Sequence, residues 1–182
     1  MTTIIAIQKD DGVQFGADSQ TTAPNGRIYS HDKMVKISQR GNYIIAGSGE
    51  CAPCDIAQHI WEPPLMSARD AKDVYHFMIS KVIPSLKSCF KDNDYKLEDD
   101  GDETRFCFLI AIAGNVFEIA DDFSVALNRS GFYGIGSGSS YALGALHAGA
   151  TAAMAMKIAA ENDAYTSAPF IWKSQKKSDK QG

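Results

Sequence analysis

The segment TTIIAIQKDDGVQFGADS, residues 2–19, holds two short apolar runs on either side of Asp-Asp-Gly. Asp-Gly between apolar runs is a hairpin signal. In both runs the apolar residues fall on nearly successive positions rather than alternating, so this hairpin needs cover on both faces. That excludes a single solvated sheet and demands a layered fold. Turns centred on Asp10-Asp11 or on Asp11-Gly12 give different pairings, and either one returns Asp18 alongside Thr2.

The rest of the chain supplies the other layers. TTAPNGRIY carries a second turn at Pro-Asn-Gly. HDKMVKIS and NYIIAGSG read as a further strand pair around QRGN. ECAPCDIAQHIW begins a helix that EPP stops. A second helix fits ARDAKDVYHFMISKVIPSLKSCF, with Val74, Phe77, Met78, Val82, Leu86 and Phe90 on one face and Pro84 as a kink. Residues 91–103, with seven acids against two lysines, read as a solvated loop. Strands resume at RFCFLIAIA, VFEIAD and GFYGIGSG. A long small-residue helix, SSYALGALHAGATAAMAMKIAAEN, follows, and DAYTSAPFIW closes the fold with a turn and a short strand. This order predicts an α+β layered sandwich in one domain over residues 1–172, with 173–182 a polar tail.

Composition narrows the partners. At 182 residues the chain can bury a substantial core. The net charge of −4 argues against nucleic acid, since phosphate binding needs clustered cations. No apolar run is long enough to span a bilayer and no leader pattern opens the chain, so the expectation is a cytoplasmic protein without a membrane partner. Four cysteines in such a chain read as reduced thiols. Their spacing lacks the two close pairs of a structural zinc site, and no metal is expected.

The hairpin also brings chemistry together. A threonine hydroxyl is a poor nucleophile until a base takes its proton, and the free α-amine of an N-terminal Thr, with a pKa of about 7.7–8.0, can serve. If Met1 is removed, Thr2 carries both groups. A lysine nearby favours the neutral amine, and an aspartate keeps that lysine charged and oriented. Thr2, Lys33 and Asp18 are the candidates for nucleophile, electrostatic tuner and orienter.

Four segments, in order and at compatible spacing, carry a resemblance to proteasome β subunits and the bacterial peptidase HslV, which are N-terminal nucleophile hydrolases. The opening TTIIAIQKDDGVQFGADSQTT resembles the start of a mature subunit, with GADSQTT bearing Asp18. DKMVKI is similar to the segment with the catalytic lysine, aligned here on Lys33. GIGSGSSYALG resembles the Gly-Ser-Gly motif, placing Ser137 near the amine. NDAYTS resembles the Asp-x-x-Ser element, with Asp163 as its acid and Thr166 in place of the serine. The resemblance implies a four-layer αββα sandwich and a threonine endopeptidase acting on unfolded polypeptides. It implies Gly49 as the oxyanion N–H donor, with Glu50 or Gly47 as alternatives, and His31 and Gly47 near the substrate side-chain pocket. It also implies a homo-oligomeric ring, two such rings stacked, a separate hexameric ATPase unfoldase, and no cofactor beyond a backbone-bound cation near Asp163 and Thr166.

Two other readings follow from the same residues. A proteasome-like shell subunit without activity is expected if Met1 is retained, because the α-amine then belongs to the wrong residue. The Cys51-x-x-Cys54 pair at a helix start resembles a thiol redox site, although hairpins stand where such a site would have a strand–helix–strand unit.

Overall fold

The computed structural model describes residues 2–177 except Pro24, Ser30, Asp32 and residues 96–104. Most of the acid-rich segment and the end of the tail therefore lie outside the described residues. The strands are β1 (Ile4–Lys9), β2 (Gly12–Ala17), β3 (Thr21–Thr22), β4 (Ile28–Tyr29), β5 (Ile37–Arg40), β6 (Tyr43–Gly49), β7 (Phe106–Ile112), β8 (Asn115–Ile119), β9 (Val125–Ala126), β10 (Phe132–Ile135) and β11 (Ile171–Lys176). The helices are α1 (Cys51–Asp55), α2 (Val74–Phe77), α3 (Ile83–Asp92), α4 (Ser139–His147) and α5 (Ala152–Asn162). A π-helical turn, Ile56–Ile60, extends α1, and another, Met78–Val82, joins α2 to α3.

Two antiparallel sheets form the centre, one in the order β10-β1-β2-β11 and the other β5-β6-β7-β8-β9. Ile4, Ala6 and Phe15 of the first sheet meet Ile44, Ala46, Leu109 and Ala111 of the second in one buried cluster. The opposite side chains of β1, Ile5 and Ile7, pack on Ala142, Leu146, Ala155 and Met156 of α4 and α5. The opposite face of β6 and β7 packs Ile45, Phe106 and Phe108 against Phe77, Met78, Leu86 and Phe90 of the other helices. The fold is a four-layer αββα sandwich. Every layer in it follows from the two-faced strands: side chains alternate across a strand, so a run apolar at each position buries both its faces.

Pairing of Ile4 with Ala17 and Lys9 with Gly12 selects the first of the two candidate turns, with Asp10 and Asp11 at its tip. The ladder runs on to the Asp18 N–H, which donates to the Thr3 carbonyl at 3.1 Å. The expected apolar helix face is present, with Phe77, Met78, Val82, Leu86 and Phe90 all buried. Pro84 directly follows the π turn within this helical run, where the i→i−4 ladder is already interrupted and its missing N–H is accommodated.

Two expectations need correction. The small-residue segment after Gly138 is two helices, not one. Gly149, at φ +92°, ends α4 in the left-handed region, and the Thr151 side chain caps α5 by accepting from the Met154 N–H at 3.3 Å. The last strand is also longer than expected. β11 pairs with β2 from Ile171 through Lys176, so part of the polar segment is a sheet edge. Its residues alternate between half-buried and exposed, as suits an edge strand with one face in water.

Thr151→Ala removes the cap that starts α5 and should destabilise the protein by about 1 kcal/mol. A fall of a few degrees in the thermal midpoint checks this, while Ser140→Ala on the exposed side of α4 should leave the midpoint unchanged.

Candidate active site

The site forms at the end of the sandwich where β1 begins and β2, β6 and β10 finish. Asp18, fully buried, follows β2 and is fixed from three sides. Its Oδ1 accepts from the Thr3 N–H at 2.9 Å and from Lys36 Nζ at 2.7 Å, and its Oδ2 accepts from the Gln20 N–H at 3.0 Å. The lysine paired with Asp18 is Lys36, not Lys33. Lys36 directly precedes β5, so the sheet carries it inward to only 8 % exposure. Lys33 lies three residues further out, exposed in the loop, where its N–H donates to His31 Nδ1 at 3.1 Å. Burial draws the Lys36 ammonium below the usual lysine range, and the charge and hydrogen bond of Asp18 oppose that shift.

Thr2 is also buried, at 6 % exposure, and it lines a cavity of about 360 Å³ together with Lys36 and Gly49. Lys33 and Gly47 line the same cavity, whereas His31 is exposed and stands outside that lining. Gly136 passes so close to Thr2 that a Cβ there would run into the Thr2 carbonyl. Only glycine permits that approach.

Behind Thr2 lies a hydroxyl–carboxylate chain. The hydroxyls of Ser137 and Thr166 both donate to Asp163 Oδ2, at 2.8 and 2.5 Å. Thr3 Oγ1 and Thr166 Oγ1 are 2.6 Å apart. Because the one Thr166 proton is committed to Asp163, Thr3 is the donor in that pair. Ser137 Oγ is 3.4 Å from the Thr2 carbonyl oxygen. The structure thus brings Thr2, Asp18, Ser137, Asp163 and Thr166 to one place. In the same turn the Asp163 carbonyl accepts from the Thr166 N–H and the Ala164 carbonyl from Gln20 Nε2, which leaves each oxygen a second lone pair.

The N–H groups at the end of β6 sort by strand alternation. Gly47 donates to the Lys36 carbonyl at 3.3 Å, and Glu50 donates to the Arg105 carbonyl at 2.8 Å. Gly49 points its N–H to the same side as Gly47, one step beyond the start of β5 and toward the cavity. At φ +110°, with the Arg105 carbonyl where a Cβ would stand, position 49 accepts only glycine.

The C-x-x-C pair opens α1 at the cavity. Cys51 is exposed, Cys54 is half-buried, and burial pushes the Cys54 thiol up to about 12. The helix follows β6 of the β5–β6 hairpin, so the strand–helix–strand unit of a thiol redox site is not what precedes it.

No family model matches the chain, and no curated protein matches it. Solved structures do. A structure of Thiobacillus denitrificans BPH in complex with epoxomicin is 26 % identical, covers 97 % of this chain and 99 % of its own, and superposes with a TM-score of 0.72. The fold is proteasome-like. Eukaryotic HslV from Trypanosoma brucei, 18 % identical, shares it over 94 % of this chain and 98 % of its own at a TM-score of 0.67. So does Anbu, an ancestral beta-subunit from Yersinia bercovieri, at 14 % identity, 94 % of this chain, 80 % of its own and a TM-score of 0.64. These neighbours are proteasome-like N-terminal nucleophile hydrolase folds. Among the described residues no helix is long and apolar enough to cross a membrane.

Lys36→Ala leaves the Asp18 carboxylate buried without its cation and should lower the unfolding free energy by roughly 3 kcal/mol. Lys33→Ala, at an exposed position, should change it by less than about 0.5 kcal/mol. Urea denaturation of the two variants separates the two lysines directly.

Proposed function

We propose that this protein is a threonine endopeptidase of the proteasome-like family, with Thr2 as nucleophile once Met1 has been removed. One observation carries the reading: Lys36, ion-paired to the buried Asp18, lines the same cavity as Thr2. An ion pair is costly to bury, and its position beside a potential N-terminal amine gives that cost a use.

In this mechanism the Lys36 charge favours the neutral form of the Thr2 amine, which then takes the Thr2 hydroxyl proton directly or through a water. Thr2 Oγ attacks the peptide carbonyl carbon, and the Gly49 N–H donates to the oxyanion as it forms. Collapse breaks the C–N bond. The proton held by the amine passes to the leaving nitrogen, and an ester remains on Thr2. A water, deprotonated by the same amine, hydrolyses the ester to a carboxylate product and free Thr2. Ser137, whose proton is committed to Asp163, offers its oxygen lone pairs toward the amine end. Asp163 and Thr166 act as positioning residues through Ser137 and Thr3. Asp18 acts by holding Lys36. No metal or other cofactor enters any step.

The particle we infer is a homo-oligomeric ring, two rings stacked with the threonines inside, fed unfolded polypeptide by a separate hexameric ATPase, in the cytoplasm. Confinement would give selectivity to a nucleophile that otherwise cleaves any extended chain reaching it.

Protein beginning at Thr2, verified by intact mass, should hydrolyse fluorogenic peptides, and Thr2→Ala should keep its fold and lose at least a thousandfold in kcat/KM. Full activity in Thr2→Ala would overturn the mechanism. A native particle that retains Met1 and cleaves nothing would favour the inactive shell subunit.

A further inference from the structure

The cavity beside Thr2 is not a uniformly apolar pocket. Its wall includes Gln58, from the π-helical turn that extends α1, and Gln58 is only 3 % exposed. Among the described residues the Gln58 Oε1 is buried with no hydrogen-bond partner. Native side chains rarely leave such an acceptor unpaired, because an orphaned buried polar atom is destabilising. Among the described residues the wall offers this oxygen no donor, so its partner is water or a group that enters the cavity. The terminal torsion of a glutamine is soft, and a turn about it presents the oxygen to the cavity.

The neighbouring lining fits a long, donor-bearing guest. At Gly47 a Cβ would stand 2.7 Å from Cys54 Sγ and 2.9 Å from the Phe108 ring, so these two side chains pack directly on the Gly47 backbone and complete that part of the wall. The Cys54 thiol and the Gly47 backbone give apolar contact to a stem. Glu50 and Asp55 add carboxylates to the same lining, against the exposed Lys33 and the buried Lys36, whose charge is paired with Asp18. Glu50 Oε2 accepts from the Tyr95 hydroxyl at 2.9 Å, which holds that carboxylate in place.

Resting on the peptidase reading above, we propose that Gln58 is a specificity-determining residue. It selects substrates whose side chain on the acyl side of the scissile bond is long and ends in N–H donors: glutamine, lysine or arginine. An aliphatic side chain of the same length would displace the solvent that can reach the amide and leave Oε1 unpaired, which is how a polar site rejects an apolar isostere.

The test uses matured protein and fluorogenic peptides identical except for glutamine, lysine, arginine or norleucine at that position. The donor-bearing peptides should exceed norleucine by about tenfold in kcat/KM. The ratio is the readout, so a general loss of rate cancels. In Gln58→Met, close in size and without the amide, the ratio should fall to about one or below. Gln58→Glu, which keeps the shape should methionine disturb folding, should move the preference from glutamine to lysine and arginine. A wild-type preference for the lysine and arginine peptides that weakens with salt assigns selection to the carboxylates acting with Gln58. A salt-independent preference that includes glutamine assigns it to the amide alone. Norleucine cleaved as fast as the others by wild type, or a ratio unchanged in Gln58→Met, overturns the specificity assignment while the peptidase reading survives. Cleavage of no peptide at all removes both.

Discussion

The Asp18 carboxylate is the point on which this end of the molecule is organised. It is fully buried, yet both its oxygens are satisfied, by the Lys36 ammonium and by the N–H groups of Thr3 and Gln20. A buried charge without such partners would have to shed its ionisation. The Thr3 bond ties the start of β1 to the end of β2, one residue from Thr2. The Lys36 bond ties the first sheet to the head of β5 in the second. One side chain therefore fixes both the entry to the strand that follows Thr2 and the lysine that lines the cavity beside it. Loss of either partner disturbs the packing of this end of the molecule.

The layered architecture gives that arrangement its rigidity. β1 is buried on both faces, with Ile4 and Ala6 against the second sheet and Ile5 and Ile7 against α4 and α5. A strand held so tightly positions its first residues far better than a free terminus would be held, since unsupported chain ends are normally poorly ordered. The Ser137–Asp163–Thr166–Thr3 chain then closes over the other side of Thr2. The proteasome-like fold thus holds the residues that lead into β1 in a preorganised position.

Much of this was legible in the residues, because burial leaves a mark on sequence. Successive apolar positions in β1, β2 and β7 require cover on both faces, and the three-to-four spacing from Phe77 to Phe90 marks the helix face that supplies part of it. Asp18 could be placed beside Thr2 because a tight turn leaves little choice of register. Lys36 could not be told from Lys33. The loop between β2 and β5 contains its own small hairpin, β3–β4, and pattern alone does not measure how much chain such an excursion consumes. The available signal was that Lys36 abuts the apolar start of β5 and so is carried inward, while Lys33 is separated from it by a loop. The split between α4 and α5 was also readable in hindsight: His-Ala-Gly-Ala-Thr holds a helix-ending glycine two residues before a capping threonine. Gln58 left no sequence signal. A glutamine becomes informative only when a structure shows its oxygen buried and unpaired.

The central claim is that an N-terminal hydroxyl and amine on one residue, beside a buried lysine–aspartate pair, form the reactive centre. Treatment of the matured protein with an epoxyketone, followed by peptide mapping, tests it most directly, because that electrophile can bond to a hydroxyl and an adjacent free amine together. The account predicts one adduct, on a peptide whose first residue is Thr2, formed at least a hundredfold more slowly in Lys36→Ala and at an unchanged rate in Lys33→Ala. An adduct on Cys51 alone, or a Thr2 adduct formed equally fast without Lys36, would contradict it.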